Sequence, residues 1–138
     1  MHVPQGGYQS TGTRLALFTD KSNQTWLANL WKAIAKRYKD CATIIGYDLV
    51  NEPQFPFYSD VRTSVNSWTA LAREYVSSIR NVDTNHVIFA ERITGIRGGS
   101  NGWYDPDSVY AYPELDDDNV VYQGHYYGPF EFTHQRAY

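Results

Sequence analysis

The chain has 138 residues, of which 42% are hydrophobic and 20% charged, and its formal net charge is −3. This length is sufficient for one domain with a hydrophobic core, and the acidic balance gives no basic surface for nucleic acid or for an anionic membrane. No apolar run approaches the roughly 20 residues of a membrane-spanning helix. Aromatic residues make up 16% of the chain, which suits either a core of large side chains or flat surfaces that stack on sugar rings.

The first half of the chain predicts a loop, a helix, a strand and a second helix. Residues 1–22 are rich in Gly, Ser, Thr and Gln, as loops are. Asn23 is expected to cap a helix that extends to Tyr38, because apolar residues recur there at helical spacing. Residues 44–50, Ile-Ile-Gly-Tyr-Asp-Leu-Val, predict a strand buried in a parallel sheet. An amphipathic helix is expected over residues 61–79.

The second half predicts two more strands. These strands are expected over residues 86–91 and 119–125, and a Gly-rich loop and a weakly helical stretch separate them. Thr133 is expected to cap a final helix. Strands that alternate with helices indicate parallel β/α units, and a complete barrel of such units needs about 250 residues. We therefore expect residues 1–138 to be part of a single barrel domain from a longer protein.

The first predicted strand leads into Asn51-Glu52-Pro53. The reacting groups of (β/α)₈ barrels lie at the carboxyl ends of the strands, and a carboxylate placed there suits general acid/base chemistry. The structural alternative is a salt-bridged surface Glu. The strand with its Asn-Glu-Pro ending resembles the fourth strand of glycoside hydrolase family five, the cellulase-type retaining enzymes.

This resemblance implies an α/β fold, a partial (β/α)₈ TIM barrel that runs from the end of strand three to the start of helix six. It implies hydrolysis of a β-1,4-linked polysaccharide, cellulose or another β-glucan, through a covalent glycosyl-enzyme. The family's nucleophile lies on strand seven, so we expect the isolated chain to be inactive. A β-mannanase or other β-glycosidase of the family, a non-catalytic carbohydrate-binding barrel and a barrel enzyme of another chemistry remain alternatives.

The resemblance also assigns site residues. Glu52 matches the acid/base, and Asn51 matches the residue that binds the substrate 2-hydroxyl. His125 and Tyr127 match a His-x-Tyr motif at the end of strand six, where the His contacts substrate and the Tyr contacts the nucleophile; an aromatic barrel plug is the structural alternative. His2 matches a substrate-binding His at the end of strand three.

Other polar and aromatic residues have open roles. Trp103 would either stack on a sugar or cover the core. Asp48 has the same strand parity as Glu52, and we interpret it as part of a buried polar network. We interpret Glu91 as the partner of Arg92 or of another base, in preference to a second catalytic carboxylate.

No cofactor or metal is expected. Cys41 is the only cysteine, which excludes an internal disulfide and a cysteine metal cluster, and the four His residues have no zinc-site spacing. The expected partner is a polysaccharide or oligosaccharide, with no nucleic acid and no membrane. The parent enzyme is expected to be monomeric and secreted, although no signal peptide follows Met1.

Overall fold

The computed structural model describes residues 17–53, 61–93, 111–126 and 128–133. Its elements in chain order are α1 (Lys21–Tyr38), β1 (Gly46–Asp48), α2 (Val61–Arg80), β2 (Val87–Glu91), β3 (Val120–Gln123) and α3 (Phe130–Thr133). The predicted order of two long helices and three strands is confirmed. In this described part of the chain, every helix is too short or too polar to cross a membrane.

The three strands form one parallel sheet in the order β1-β2-β3. Gly46 lies opposite Val87, and Ile88 lies opposite Val120. Because all three strands run in one direction, their carboxyl ends meet at the same edge of the sheet. Residues that follow the strands are therefore brought together there.

Helices α1 and α2 pack against each other, and their apolar faces form the core with the strands. The indole of Trp31 in α1 meets the ring of Tyr47 in β1 edge to face, with 6.1 Å between the ring centroids. Trp68 and Tyr75 of α2 are fully buried. These large aromatic side chains thus fill the core.

Two predicted helix caps are wrong. Helix α1 is capped by Asp20, whose Oδ1 accepts the backbone N–H of Ser22 at 2.8 Å, while Asn23 lies inside the helix. The hydroxyl and the backbone N–H of Ser22 both donate to Asp20, and these two hydrogen bonds lower the pKa of its carboxyl group. Thr133 lies inside α3 and does not precede it, because the backbone N–H groups of Phe132 and Thr133 already donate to the carbonyl of Pro129. Proline suits a helix start, since its fixed φ matches the helix and it has no N–H to satisfy.

Gly46 lies where the backbone of β2 leaves no room for a side chain on β1. A Cβ at this position would overlap the carbonyl oxygen of Val87 and lie 2.8 Å from the ring of Phe89. We expect Gly46→Ala to reduce the free energy of unfolding by at least about 1–3 kcal/mol, the usual cost of overpacking. Urea unfolding measures the effect. Gly124→Ala is the matched control, because its Cβ would meet the ends of flexible side chains, the Tyr112 hydroxyl at 3.2 Å and Arg92 at 3.5 Å, and no backbone atom. Equal stability of the two variants would contradict this close approach.

Candidate active site

Two carboxylates and an imidazole meet at the carboxyl edge of the sheet. Glu52 follows β1, Glu91 ends β2 and His125 follows β3. The Nδ1 atom of His125 lies 2.7 Å from Oε1 of Glu52, and its Nε2 atom lies 3.2 Å from Oε1 of Glu91. We call these three residues the Glu–His–Glu cluster.

The backbone of Glu52 is held in an unusual conformation. Its φ is 47°, in the left-handed region that residues other than glycine seldom adopt. Its N–H donates a 2.8 Å hydrogen bond to Oε2 of Glu91, and the buried Pro53 follows it. Such a conformation persists only where the surrounding structure holds it, and Glu91 supplies one such contact. The side chain of Glu52 remains 31% exposed, so its carboxyl group is accessible from outside the sheet.

Glu91 is enclosed, at 1% exposure. Oε2 accepts the Glu52 N–H, while Oε1 faces His125 and the side-chain amide of Gln123 at 3.4 Å. Burial raises the pKa of Glu91, although the bond from Glu52 and the charge of His125 act in the opposite direction. A carboxylate buried this deeply does not reach a substrate. The structure agrees with the interpretation of Glu91 as the partner of a base, and it identifies His125 as one.

His125 is held between two negative groups. Burial lowers the pKa of His125, but the hydrogen bond to Glu52 and the charges of Glu91 and Asp48 outweigh that effect and raise the pKa overall. The imidazole therefore stays protonated to a higher pH than an ordinary histidine. With a hydrogen on each ring nitrogen, it donates to both carboxylates.

Trp68 fixes the end of β2 from the helix side. Its indole N–H donates to the backbone carbonyl of Glu91 at 2.9 Å, and both groups are buried. The helical spacing over residues 61–79 predicts an apolar face that includes Trp68, but it indicates no partner for the indole N–H. Buried indole groups usually find a hydrogen-bond acceptor, which is the signal that could have indicated this contact.

The other predicted site residues differ in how far the structure describes them. Asn51 is half-buried beside Glu52, and Asp48 is half-buried at the end of β1. The charge of Asp48 acts on both Glu91 and His125, as expected for a residue of a polar network. His2, Trp103 and Tyr127 lie outside the described residues. Among the residues described, no group of three or more His, Cys, Asp and Glu side chains is arranged to hold a metal ion.

The sequence matches a known family over most of its length. The family model "Cellulase (glycosyl hydrolase family 5)" matches residues 4–138. Endoglucanase C of Acetivibrio thermocellus is 31% identical over 137 residues, which cover 99% of this chain and 35% of that protein. Endoglucanase 3 of Fibrobacter succinogenes is 30% identical over 135 residues, which cover 97% of this chain and 18% of that protein.

Solved structures of a relative match the fold. Endoglucanase Cel5A of Thermotoga maritima has a TM-score of 0.64 and 27% identity over 99% of this chain and 37% of its own. The same enzyme in complex with mannotriose has a TM-score of 0.62. The structural neighbours are TIM-barrel enzymes, which agrees with the parallel β/α units found here. The chain spans about a third of the length of Endoglucanase C and of Cel5A. It belongs to the cellulase family, glycosyl hydrolase family 5.

Proposed function

We propose that the complete protein, meaning the whole product of the gene that encodes this chain, hydrolyses a β-1,4-linked glucan with retention of configuration. The observation that carries the proposal is the partly exposed carboxyl group of Glu52 at a strand end, bound to His125 at 2.7 Å. Relatives named as endoglucanases support a glucan as the substrate. The same names support cleavage inside the polysaccharide.

Glu52 is the proposed acid/base. A retaining glycosidase needs one carboxyl group that protonates the leaving oxygen and then activates water, and a second one, roughly 5 Å away, that attacks the sugar. His125 holds Oε1 of Glu52 in one orientation, which limits the rotation of the carboxyl group. Orientation of this kind supplies much of the effect of a positioned catalytic group.

The proposed nucleophile lies outside this chain. Glu91 is unsuited to attack a sugar, because it is enclosed and both of its oxygens are engaged. On this proposal the 138 residues alone do not hydrolyse β-glycosides, and they correspond to the barrel segment from the end of strand three to the start of helix six. The proposed supporting roles remain those implied by the family: Asn51, His2, His125 and Trp103 bind substrate, and Tyr127 contacts the nucleophile. We also propose that the complete protein is monomeric and secreted.

The stereochemistry of the product tests the proposed mechanism. Proton NMR of the complete protein acting on a soluble cello-oligosaccharide should show the β-anomer first, because two displacements restore the starting configuration. First appearance of the α-anomer would contradict the double displacement. Binding of the oligosaccharide without cleavage would favour the alternative of a carbohydrate-binding barrel.

A β-mannan is the second candidate substrate. Thermotoga maritima Cel5A is 27% identical to this chain, and its structures include complexes with mannotriose and with cellobiose. Rates on matched manno- and cello-oligosaccharides decide between the two sugars. A higher kcat/KM on the manno-oligosaccharide would replace the glucan with a mannan and leave the proposed role of Glu52 unchanged.

A further inference from the structure

Glu91 is a buried carboxylate to which the hydrolytic mechanism above gives no role. It lies at the end of the middle strand, between the residues that follow β1 and β3. Burial of a carboxylate is costly unless hydrogen bonds or opposite charges compensate it. Here the compensation comes from the Glu52 N–H and from His125, the other two members of the Glu–His–Glu cluster.

We propose that Glu91 is a positioning residue for the acid/base, which fixes Glu52 through two separate contacts. One contact is direct, from Oε2 of Glu91 to the Glu52 backbone N–H at 2.8 Å. The other passes through the imidazole of His125, which bridges Oε1 of Glu91 and Oε1 of Glu52. The catalytic consequence rests on the proposed function, whereas the two contacts do not.

The direct contact holds the backbone of Glu52. The left-handed φ of 47° is unfavourable for a residue with a Cβ, so this conformation needs contacts that stabilise it. A hydrogen bond from an N–H to a carboxylate is stronger than one between neutral groups. Loss of this bond would allow Glu52 to relax, and the direction of its side chain would change with the backbone.

The bridged contact depends on charge. Glu52 faces His125 from the end of β1, Glu91 faces it from the end of β2, and the charge of Asp48 acts on it from within β1. A positive group, the Arg92 side chain, lies against Gly124, which precedes His125. The carboxylates raise the pKa of His125 overall, so they favour an imidazolium that donates to Glu52 and Glu91 together.

Replacing Glu91 with glutamine separates charge from shape. The glutamine carbonyl is able to accept the Glu52 N–H, but its amide group then faces Nε2 of His125 and donates to it. The imidazole must become neutral to accept that bond. The Glu91→Gln variant should therefore retain the packing and lose the second carboxylate that keeps His125 protonated.

The test is an NMR titration of His125 in the complete protein labelled with ¹⁵N at histidine. The pKa of His125 should be lower in Glu91→Gln than in the unsubstituted protein, and the neutral form should carry its hydrogen on Nδ1. The matched control is Glu114→Gln, the same chemical change at an exposed residue, which should leave the titration unchanged. An unchanged titration in Glu91→Gln would overturn the proposal.

A second variant tests the proposal without altering Glu91, which matters if Glu91→Gln does not fold. In Glu52→Gln, the charge of Glu91 should still keep the pKa of His125 above the value measured in the double variant Glu52→Gln/Glu91→Gln. The neutral form of His125 should carry its hydrogen on Nε2, because that nitrogen faces the Glu91 carboxylate. Equal pKa values in the single and double variants, or a hydrogen on Nδ1 in Glu52→Gln, would overturn the bridging role. Neither titration requires hydrolysis, so both remain decisive if the proposed activity is wrong.

A kinetic measurement tests the positioning itself. If the complete protein is active, Glu91→Gln should reduce kcat by the order of 10²-fold with little change in KM, as misplacement of a catalytic group does. The alkaline limb of the kcat pH profile should shift with the His125 titration. A loss confined to KM would contradict a positioning role.

Discussion

The Glu52→Ala variant of the complete protein should hydrolyse substrates with poor leaving groups about 10²–10⁴-fold more slowly in the first, glycosylation step, which is the usual contribution of general acid catalysis. Activated aryl glycosides should lose much less in this step, because their leaving groups need little protonation. Their second step should still be slow, since the base that activates water is absent. Added azide attacks without a base, so it should restore the second step and give a β-glycosyl azide.

The measurements are burst and steady-state rates on an alkyl and a dinitrophenyl β-glycoside, with and without azide. Glu114→Ala serves as the control, because it removes an exposed carboxylate from another part of the surface. Equal losses on both substrates with no azide product would contradict the acid/base assignment of Glu52. Equal losses on both substrates in Glu91→Ala would not contradict that assignment, because Glu91 is proposed to act through Glu52.

Trp68→Ala should lower the free energy of unfolding by about 3–5 kcal/mol, more than Gly46→Ala does. The side chain is fully buried, so its loss leaves a cavity between α2 and the sheet. The carbonyl of Glu91 would also lose the indole N–H that it accepts at 2.9 Å. Urea unfolding at constant pH measures the change.

Trp26→Ala is the matched control, because Trp26 lies on α1 with 58% of its surface exposed. We expect this control to remain within about 0.5 kcal/mol of the unsubstituted protein. Trp68→Phe keeps most of the apolar volume but removes the N–H donor and part of the ring system, so it should fall between the two. A Trp68→Ala effect as small as that of Trp26→Ala would contradict the role of Trp68 in the core.

The helices and strands were predictable because their patterns are local. The apolar run at 44–50 and the helical spacing over 61–79 each describe one element that is buried on a known face. The placement of Glu52 and His125 after strands followed from the same patterns. Their roles came from the family resemblance, since a pattern of hydrophobicity does not distinguish a catalytic Glu from a salt-bridged one.

The surroundings of the Glu91 side chain were harder to predict from the sequence. Its position at a strand end was visible, but its burial depends on the strand order, which places β2 between β1 and β3. Only this order brings Glu52 and His125 to opposite sides of one carboxylate. The cap of α1 was missed for a more local reason: Asp20 and Asn23 are both good caps, and the bonds from Ser22 decide between them.

The left-handed backbone at Glu52 has a consequence for the evolution of the protein. A residue with a Cβ costs roughly 1 kcal/mol or more in this conformation, whereas glycine adopts it freely. Selection for thermal stability alone would therefore favour glycine at position 52 and eliminate the proposed acid/base. On the proposed role of Glu52, selection for turnover opposes this substitution. A library at position 52 that is screened first for heat resistance would therefore be enriched in glycine variants that lack the acid/base.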